Sequence, residues 1–461
     1  MKKFDVITIG SGGGAKISSP AAAMGLKVAV IEKDRLGGTC LNRGCIPSKM
    51  LIHPADVAME IKEAHRFDIH NDPQFEVDFA KLVSRISLTV DTDSNKIETS
   101  YKNHPNISLY QGSAKFINDK TIDVNGEQLT ADKIFIAAGT RPAIPDIPGL
   151  SDTPFMTSTE ALRNTRLPSS MLIIGGGYIA AELGHAYAAL GTKTIFLVRS
   201  KFLRPEDAEI AAEFQKVFSR YHDIRLGAVP TKVEYSNSSF TVHYVQDGKN
   251  SSVTAQALLI ATGIVSNADT LDLCNTHIES DSRHMIKVNE YLETSSPGIY
   301  ALGDCIGRYF FRHSVNFEGE YLFDYIFGGK PKSPIQYPPM PHAIFTHPQV
   351  AAVGATEEEL KTKGLDYAVG LNPYKSSAMG MALLSDFGFC KILVERKSRK
   401  ILGGHIIGPE ASDMIHMIIA YMNMNATLDD MLRTIYIHPA LPEIVRNAAR
   451  KAKTALEKNH A

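Results

Sequence analysis

Cys40 and Cys45 stand five apart in a run that opens with Gly37-Gly38-Thr39. Side chains three to five residues apart along a helical turn lie on one side of it. A helix N-terminus lowers a thiol from about 8.5, so that a thiolate is available near neutral pH. Three readings suit such a pair. A zinc site needs two more ligands at suitable spacing, and the other cysteines, Cys274, Cys305 and Cys390, are scattered singly. No metal is therefore expected. Two unrelated core cysteines remain an open reading. A redox-active disulfide beside a nucleotide cofactor is preferred because of what precedes the pair.

Residues 4–9 (FDVITI) form a β-branched run. Gly10-Ser11-Gly12-Gly13-Gly14-Ala15 follows, then small residues on a helical face through Ala23, then a second strand-like run from Lys27 to Ile31 that ends at Glu32. This is strand, glycine turn, helix, strand, acid. A side chain in the turn would block a pyrophosphate, and the helix N-terminus offers free N–H groups and a positive dipole end. Glu32 lies 22 residues after Gly10, the distance at which an acid accepts both hydrogens of an adenosine ribose. The pattern recurs at 171–198, with Gly175-x-Gly177-x-x-Ala180 and a second strand ending at Val198. There Arg199 follows the strand, with Lys201 and Arg204 close by. An acid at that place favours NAD; a cation receives a 2′-phosphate and favours NADP. A solvated basic loop is the competing reading.

Apolar strands recur at 134–142, 258–267 and 299–305, the last stopping at Gly303-Asp304. The final ~130 residues are punctuated differently. A Pro-rich run at 337–345 leads into strand-like runs at 391–396 and 401–408 and helical segments near 411–425 and 442–457. The 461 residues suggest two to four domains. The charged fraction of 21% and the hydrophobic fraction of 44% are those of ordinary globular chains. The net charge of −1 supplies no field to recommend nucleic acid or anionic lipid. No run of 18 apolar residues appears, and Val6–Ile9 is too short for the core of a signal peptide. Five cysteines fit a reducing compartment, so a cytoplasmic protein is expected.

The run GGTCLNRGCIPSK (37–49) resembles the active-site signature of the flavin-dependent pyridine nucleotide-disulfide oxidoreductases, and the resemblance extends over the whole chain. The first glycine unit is similar to the family's FAD fingerprint, the second to its NAD(P) fingerprint, ALGDC (301–305) to its second FAD motif, and IHPALPE (437–443) to its C-terminal His…Glu signature. The resemblance implies that Cys45 exchanges electrons with the flavin and that Cys40 forms the mixed disulfide with substrate. His438 is the implied acid–base partner, oriented by Glu443 and supplied by the partner subunit of a homodimer. Lys49 would pair with Glu182 near the flavin, and Tyr178 resembles the ring that gates the nicotinamide pocket. The residues implied to hold FAD are Gly10, Gly12, Gly13, Glu32, Lys33, Gly38, Thr39, Lys49, Ala114, Gly139, Thr140 and Asp304. Those implied to hold NAD or NADP are Gly175, Gly177, Tyr178, Ile179, Glu182, Val198, Arg199, Arg204 and Gly263.

The implied fold is α/β: two Rossmann-like dinucleotide-binding domains and a C-terminal α+β dimerisation domain. FAD binding falls to 1–148 and 271–334, NAD(P) binding to 149–270, and dimerisation to 335–461. The first expectation for activity is dihydrolipoamide oxidation with NAD, on a small dithiol or a lipoyl domain, with a possible place in a 2-oxoacid dehydrogenase complex. The alternative is an NADPH-driven reductase of another small disulfide, similar to mycothione reductase. Arg199 and the details VSNAD and HPALPE favour that branch. The absence of a terminal Cys pair speaks against mercury reduction. Neither a membrane nor a nucleic acid is an expected partner.

Overall fold

The computed structural model describes residues 1–70 and 75–458. The β-branched run at the start becomes the strand Lys2–Ile9, in register with Val28–Glu32 from Val6↔Val28 to Ile9↔Ile31. Both are parallel, and every residue of Val28–Glu32 is buried. Alternate side chains of a strand point to opposite faces. Ile7, Ile9, Ala29 and Ile31 accordingly enter one apolar cluster, whereas Val6, Val28 and Val30 enter another with Ile17, Ala21 and Ala22 of the helix Ala15–Ala23. Burial on both faces is why these strands read as continuous apolar runs.

This first sheet has seven strands. In order they are Ile107–Gln111, Val28–Glu32, Lys2–Ile9, Glu127–Ile136, Thr121–Val124 and Lys115–Asn118, and Ile299–Ala301 also pairs with Glu127–Ile136. The chain thus leaves the sheet and returns to it more than 160 residues later, from Ile136 to Ile299. Between lies a second parallel sheet in the order Asp223–Leu226, Lys193–Val198, Ser170–Ile174, Ala257–Ile260. An antiparallel layer, Val229–Ser236, Ser239–Gln246 and Lys249–Ala255, packs with it through Val233, Phe240, Val242 and Tyr244. Thr140–Pro142 pairs with Ile264–Ser266 where the chain passes between the two units.

The last unit is a five-stranded antiparallel sheet, ordered His342–Ile344, Val350–Gly354, Ile401–Ile407, Phe389–Glu395, Tyr367–Pro373. The helices Ala411–Asn423, Leu428–Arg433 and Pro442–Glu457 cover it through Ile415, Ile418, Met431, Ile444, Val445 and Ala448. Gly370 lets the last helix approach closely, since a Cβ there would stand 2.0 Å from Ala448 O. The fold is the α/β arrangement expected from the sequence.

Candidate active site

The cysteines do not share one helix. Cys40 lies in the six-residue helix Gly38–Arg43, Gly44 breaks the chain, and Cys45 opens the helix Cys45–Glu63. The sequence expectation of a single helix N-terminus carrying both is corrected in this respect. Gly44 is required because a Cβ would stand 2.9 Å from Thr39 O. The break still leaves the two thiols hydrogen-bonded to each other. Both are free thiols in this structure, Cys40 half-buried and Cys45 exposed. The hydrogen bond from Cys40 is the largest influence on Cys45. With the amide at its helix start, the Lys49 ammonium and the Arg312 guanidinium, it outweighs desolvation and brings Cys45 down to about 7. The same hydrogen bond, with burial, pushes Cys40 far above the ordinary thiol range. The pair therefore holds one ready thiolate and one protonated thiol.

Beside them Lys49 Nζ lies 2.6 Å from Glu182 Oε2 and 4.2 Å from the centre of the Phe345 ring, and Phe345 N donates to Glu182 Oε1 at 3.1 Å. Three segments, from the helix that Cys45 opens, the second glycine unit and the C-terminal unit, converge on this one ammonium.

The glycine turn beside the cysteines is packed without slack. Gly10 has φ +97°, and a Cβ there would meet Ala137 O at 2.3 Å; one on Gly14 would meet Gly10 O at 2.2 Å. Gly12 and Gly38 touch backbone to backbone, which joins the first turn to the cysteine run, while a Cβ on Gly13 would strike Val315. Glu32 is buried at the strand end, where its Oε2 accepts from Ser11 N at 2.9 Å and Ser11 Oγ at 2.8 Å, and its Oε1 from Asp34 N at 3.0 Å. Lys33 and Thr39 are exposed, and Ala114 is buried after the neighbouring strand. Thr140 Oγ1 donates to Asp304 Oδ2 at 3.0 Å; burial raises the Asp304 carboxyl and the Thr140 bond only partly offsets it. Gly139 opens onto free space. This is a cradle of bare backbone with one buried acid at the strand end and a second buried acid at Asp304, and the residues present suit FAD.

In the second unit Gly175 has φ +139° and abuts Ala261 O, whereas Gly177 and Gly263 meet nothing within 4 Å. That open space over bare backbone suits a second dinucleotide. Val198 is buried under Gly176 and Ile179 is exposed. Arg199, Lys201 and Arg204 are all exposed, and none has a hydrogen bond or ion pair among the described residues. Tyr178 donates to Glu206 Oε1 at 2.5 Å. Glu206 and its second partner, His342, were not singled out in the sequence. The two lie 136 residues apart, so no local spacing signals them.

His438 stands apart. Its Nδ1 lies 2.9 Å from Glu443 Oε2, and its side chain is 70% exposed. No hydrogen bond links it to either cysteine in this chain among the described residues. Burial opposes ionisation of Glu443, but bonds from His438, Ala440 N and Arg446 hold it below the usual carboxylate range. Ile435 and Ile437 beside it are 95% and 79% exposed.

Residues 4–319 match the family model described as pyridine nucleotide-disulphide oxidoreductase, and residues 340–449 match its dimerisation domain. The chain belongs to the pyridine nucleotide-disulphide oxidoreductases, flavoproteins whose cofactors are FAD and a pyridine nucleotide. It is 35% identical to the mycothione reductase of Mycobacterium tuberculosis, over 97% of this chain and 99% of that one. It is 32% identical to the dihydrolipoyl dehydrogenase of Cupriavidus necator, over 97% and 98%. Among solved structures it superposes on the HOCl-induced flavoprotein disulfide reductase RclA from Escherichia coli, with a TM-score of 0.85, 27% identity and coverage of 98% and 99%. No helix among the described residues is long and apolar enough to cross a membrane.

Proposed function

We propose that this oxidoreductase uses NADPH to reduce a small disulfide through FAD and the Cys40–Cys45 pair. Bound over the first glycine turn (Gly10 to Gly14) and near Asp304, FAD would supply hydride acceptance from the dinucleotide and two-electron transfer to the sulfurs. The FAD unit comprises 1–148 and 271–334, the dinucleotide unit 149–270 and the dimerising unit 335–461. The residues divide the remaining labour. The raised pKa of Cys40 calls for a base, a role we assign to His438 of the partner subunit, with Glu443 orienting the imidazole and stabilising its cation. Deprotonated Cys40 attacks the substrate disulfide, forms the mixed disulfide and releases the first thiol, which takes its proton from the imidazolium. The Cys45 thiolate then attacks the Cys40 sulfur, closing the internal disulfide and releasing the second thiol. The second product leaves as a thiolate and takes one proton from solvent, while the hydride equivalent of NADPH restores the Cys40 thiol and Cys45 thiolate, so one disulfide becomes two thiols per NADPH oxidised. Lys49, neutralised in part by Glu182, keeps a positive field on Cys45.

The observation that carries the choice of dinucleotide is the unpaired basic loop at the end of Lys193–Val198. Three cations with no partner of their own among the described residues are available to a 2′-phosphate. The 35% identity to a mycothione reductase supports the same direction. The second reading is dihydrolipoamide oxidation with NAD, favoured by the dihydrolipoyl dehydrogenase at 32% identity; docking into a 2-oxoacid dehydrogenase complex would accompany it. Steady-state assays with lipoamide and several small disulfides, each with NAD(H) and NADP(H), separate the two. A kcat/KM at least about tenfold higher for NADPH than for NADH supports the first reading. The fastest turnover with dihydrolipoamide and NAD establishes the second. Quinone reduction that survives Cys45→Ser, with no disulfide turnover in the wild type, overturns both.

A further inference from the structure

One fully buried carboxylate takes no part in the chemistry above. Glu318 lies in the helix Arg312–Ile326 with no exposed surface. Its Oε2 accepts from Gly303 N at 2.6 Å and its Oε1 from Tyr337 Oη at 2.8 Å. It has no ion pair among the described residues. Burial raises its carboxyl and Asp304 adds to that; the bonds from Gly303 and Tyr337 and the Arg308 guanidinium offset only part. An apolar side chain of similar volume would fill the space without that desolvation. The carboxylate is accounted for by what it holds.

Gly303 follows the strand Ile299–Ala301 of the first sheet and turns the chain with φ +77°. A Cβ on it would stand 2.8 Å from the Val315 side chain, and one on Gly13 of the first glycine turn would stand 2.5 Å from the same side chain. Gly319, beside Glu318, is as close to Lys16 of the helix Ala15–Ala23, where a Cβ would stand 2.5 Å away. The helix Arg312–Ile326 therefore lies against both halves of the cradle, and Glu318 is its polar bond to one of them. The residue after Gly303 is Asp304, whose Oδ2 accepts from Thr140 Oγ1 at 3.0 Å. Leu302 N bonds Ile136 O at 3.1 Å and Gly307 N bonds Asp304 O at 3.0 Å. Between them the bond from Gly303 N fixes the peptide from which Asp304 departs. Tyr337 stands at the other end, five residues before the strand His342–Ile344, on the segment that leads into the C-terminal sheet. The Arg308 guanidinium lies 4.3 Å from the centre of its ring and the Phe317 ring 5.6 Å away.

We infer that Glu318 is a positioning residue for FAD. Its carboxylate, itself held by Tyr337, fixes the Gly303 peptide and so aims Asp304 into the cradle. FAD retention then depends on how the segment entering the C-terminal unit is seated. The inference rests on the placement of FAD between the first glycine turn and Asp304 proposed above.

The test follows release of FAD from the holoenzyme, read as the rise of free-flavin fluorescence on dilution, beside thermal melting by circular dichroism. A hydrogen bond to a charged group is worth about ten- to hundredfold in an equilibrium constant, and Glu318→Leu should speed release by that order. Glu318→Gln should stay within about threefold of wild type, because its amide oxygen still accepts from Gly303 N and its amide nitrogen donates to Tyr337 Oη. Tyr337→Phe keeps the ring and its Arg308 contact, so it reports the link even where Glu318→Leu does not accumulate. Release about three- to tenfold faster is expected for it. Glu318→Leu combined with Tyr337→Phe should be no faster than Glu318→Leu alone, since Tyr337 acts through Glu318. Wild-type release in Tyr337→Phe, additive effects in the double variant, or a lowered melting temperature with unchanged release overturns the inference. Release from Glu318→Gln as fast as from Glu318→Leu also overturns it, because the charge and not the bond to Gly303 would then matter. Asp304→Ala separates the two failures. Unchanged release there overturns the placement of FAD beside Asp304. Faster release there, with wild-type release in Glu318→Leu and Tyr337→Phe, overturns only the positioning role.

Discussion

At the residue scale the chemistry depends on how one charge is placed against its neighbours. Cys45, brought down to about 7, is a thiolate above that pH and a thiol below it. The rate of alkylation of reduced enzyme by iodoacetamide should rise with a midpoint near pH 7, more than a unit below an ordinary thiol at about 8.5. Lys49→Met removes one of the cations that lower Cys45, so its midpoint should move upward; an unmoved midpoint would detach Lys49 from the sulfur pair. His438→Gln should cut disulfide turnover by about a hundred- to ten-thousandfold, the usual worth of a general acid–base group. Stopped-flow reduction of FAD by the dinucleotide should be spared, because that step moves no proton through the imidazole. Arg199→Glu tests the basic loop. Charge-assisted hydrogen bonds are worth roughly 1.5–3 kcal/mol, so NADPH affinity should fall about ten- to hundredfold while NADH is less affected. An unchanged ratio of kcat/KM values would make Arg199 a solvated surface residue.

At the scale of elements, the two glycine turns look alike in sequence and differ in what their glycines touch. Gly10 combines φ +97° with a Cβ position 2.3 Å from a carbonyl oxygen. Gly10→Ala should therefore separate the first strand from Ala137 and give protein that retains little FAD, seen as a low ratio of flavin to protein absorbance. Gly177 has no positive φ and nothing within 4 Å. Gly177→Ala should keep its melting temperature and its FAD, yet bind dinucleotide poorly, because the added methyl enters the open space over the turn. Equal loss of stability in both variants would contradict this distinction.

For the whole molecule, the exposed His438 and its apolar neighbours Ile435 and Ile437 are where the proposed dimer contact can be tested. The match of 340–449 to a dimerisation domain supports that contact. Ile437→Asp puts a charge into that contact. It should yield monomer by sedimentation, with FAD reduction by the dinucleotide intact and disulfide turnover lost. A monomer fully active on the disulfide would remove the partner's histidine from the mechanism.

Much of this was legible in the sequence because it is local. Strand, glycine turn, helix and acid lie within about 25 residues, and backbone sterics and helix dipoles act at that range. The cysteine spacing and the basic loop after Val198 are local in the same way; the His438–Glu443 pair is local too, but its role was read through family resemblance. The pairing of Lys49 with Glu182 crosses 133 residues and was read through family resemblance, not from spacing. Tertiary structure alone decided the rest. It split the cysteines between two helices at Gly44, and it assigned the low pKa to Cys45 through Cys40, Lys49 and Arg312, since such shifts depend on distances no spacing encodes. It also joined Tyr178 and Glu206 of the second glycine unit to His342 of the C-terminal unit, a contact that arises only when the units pack.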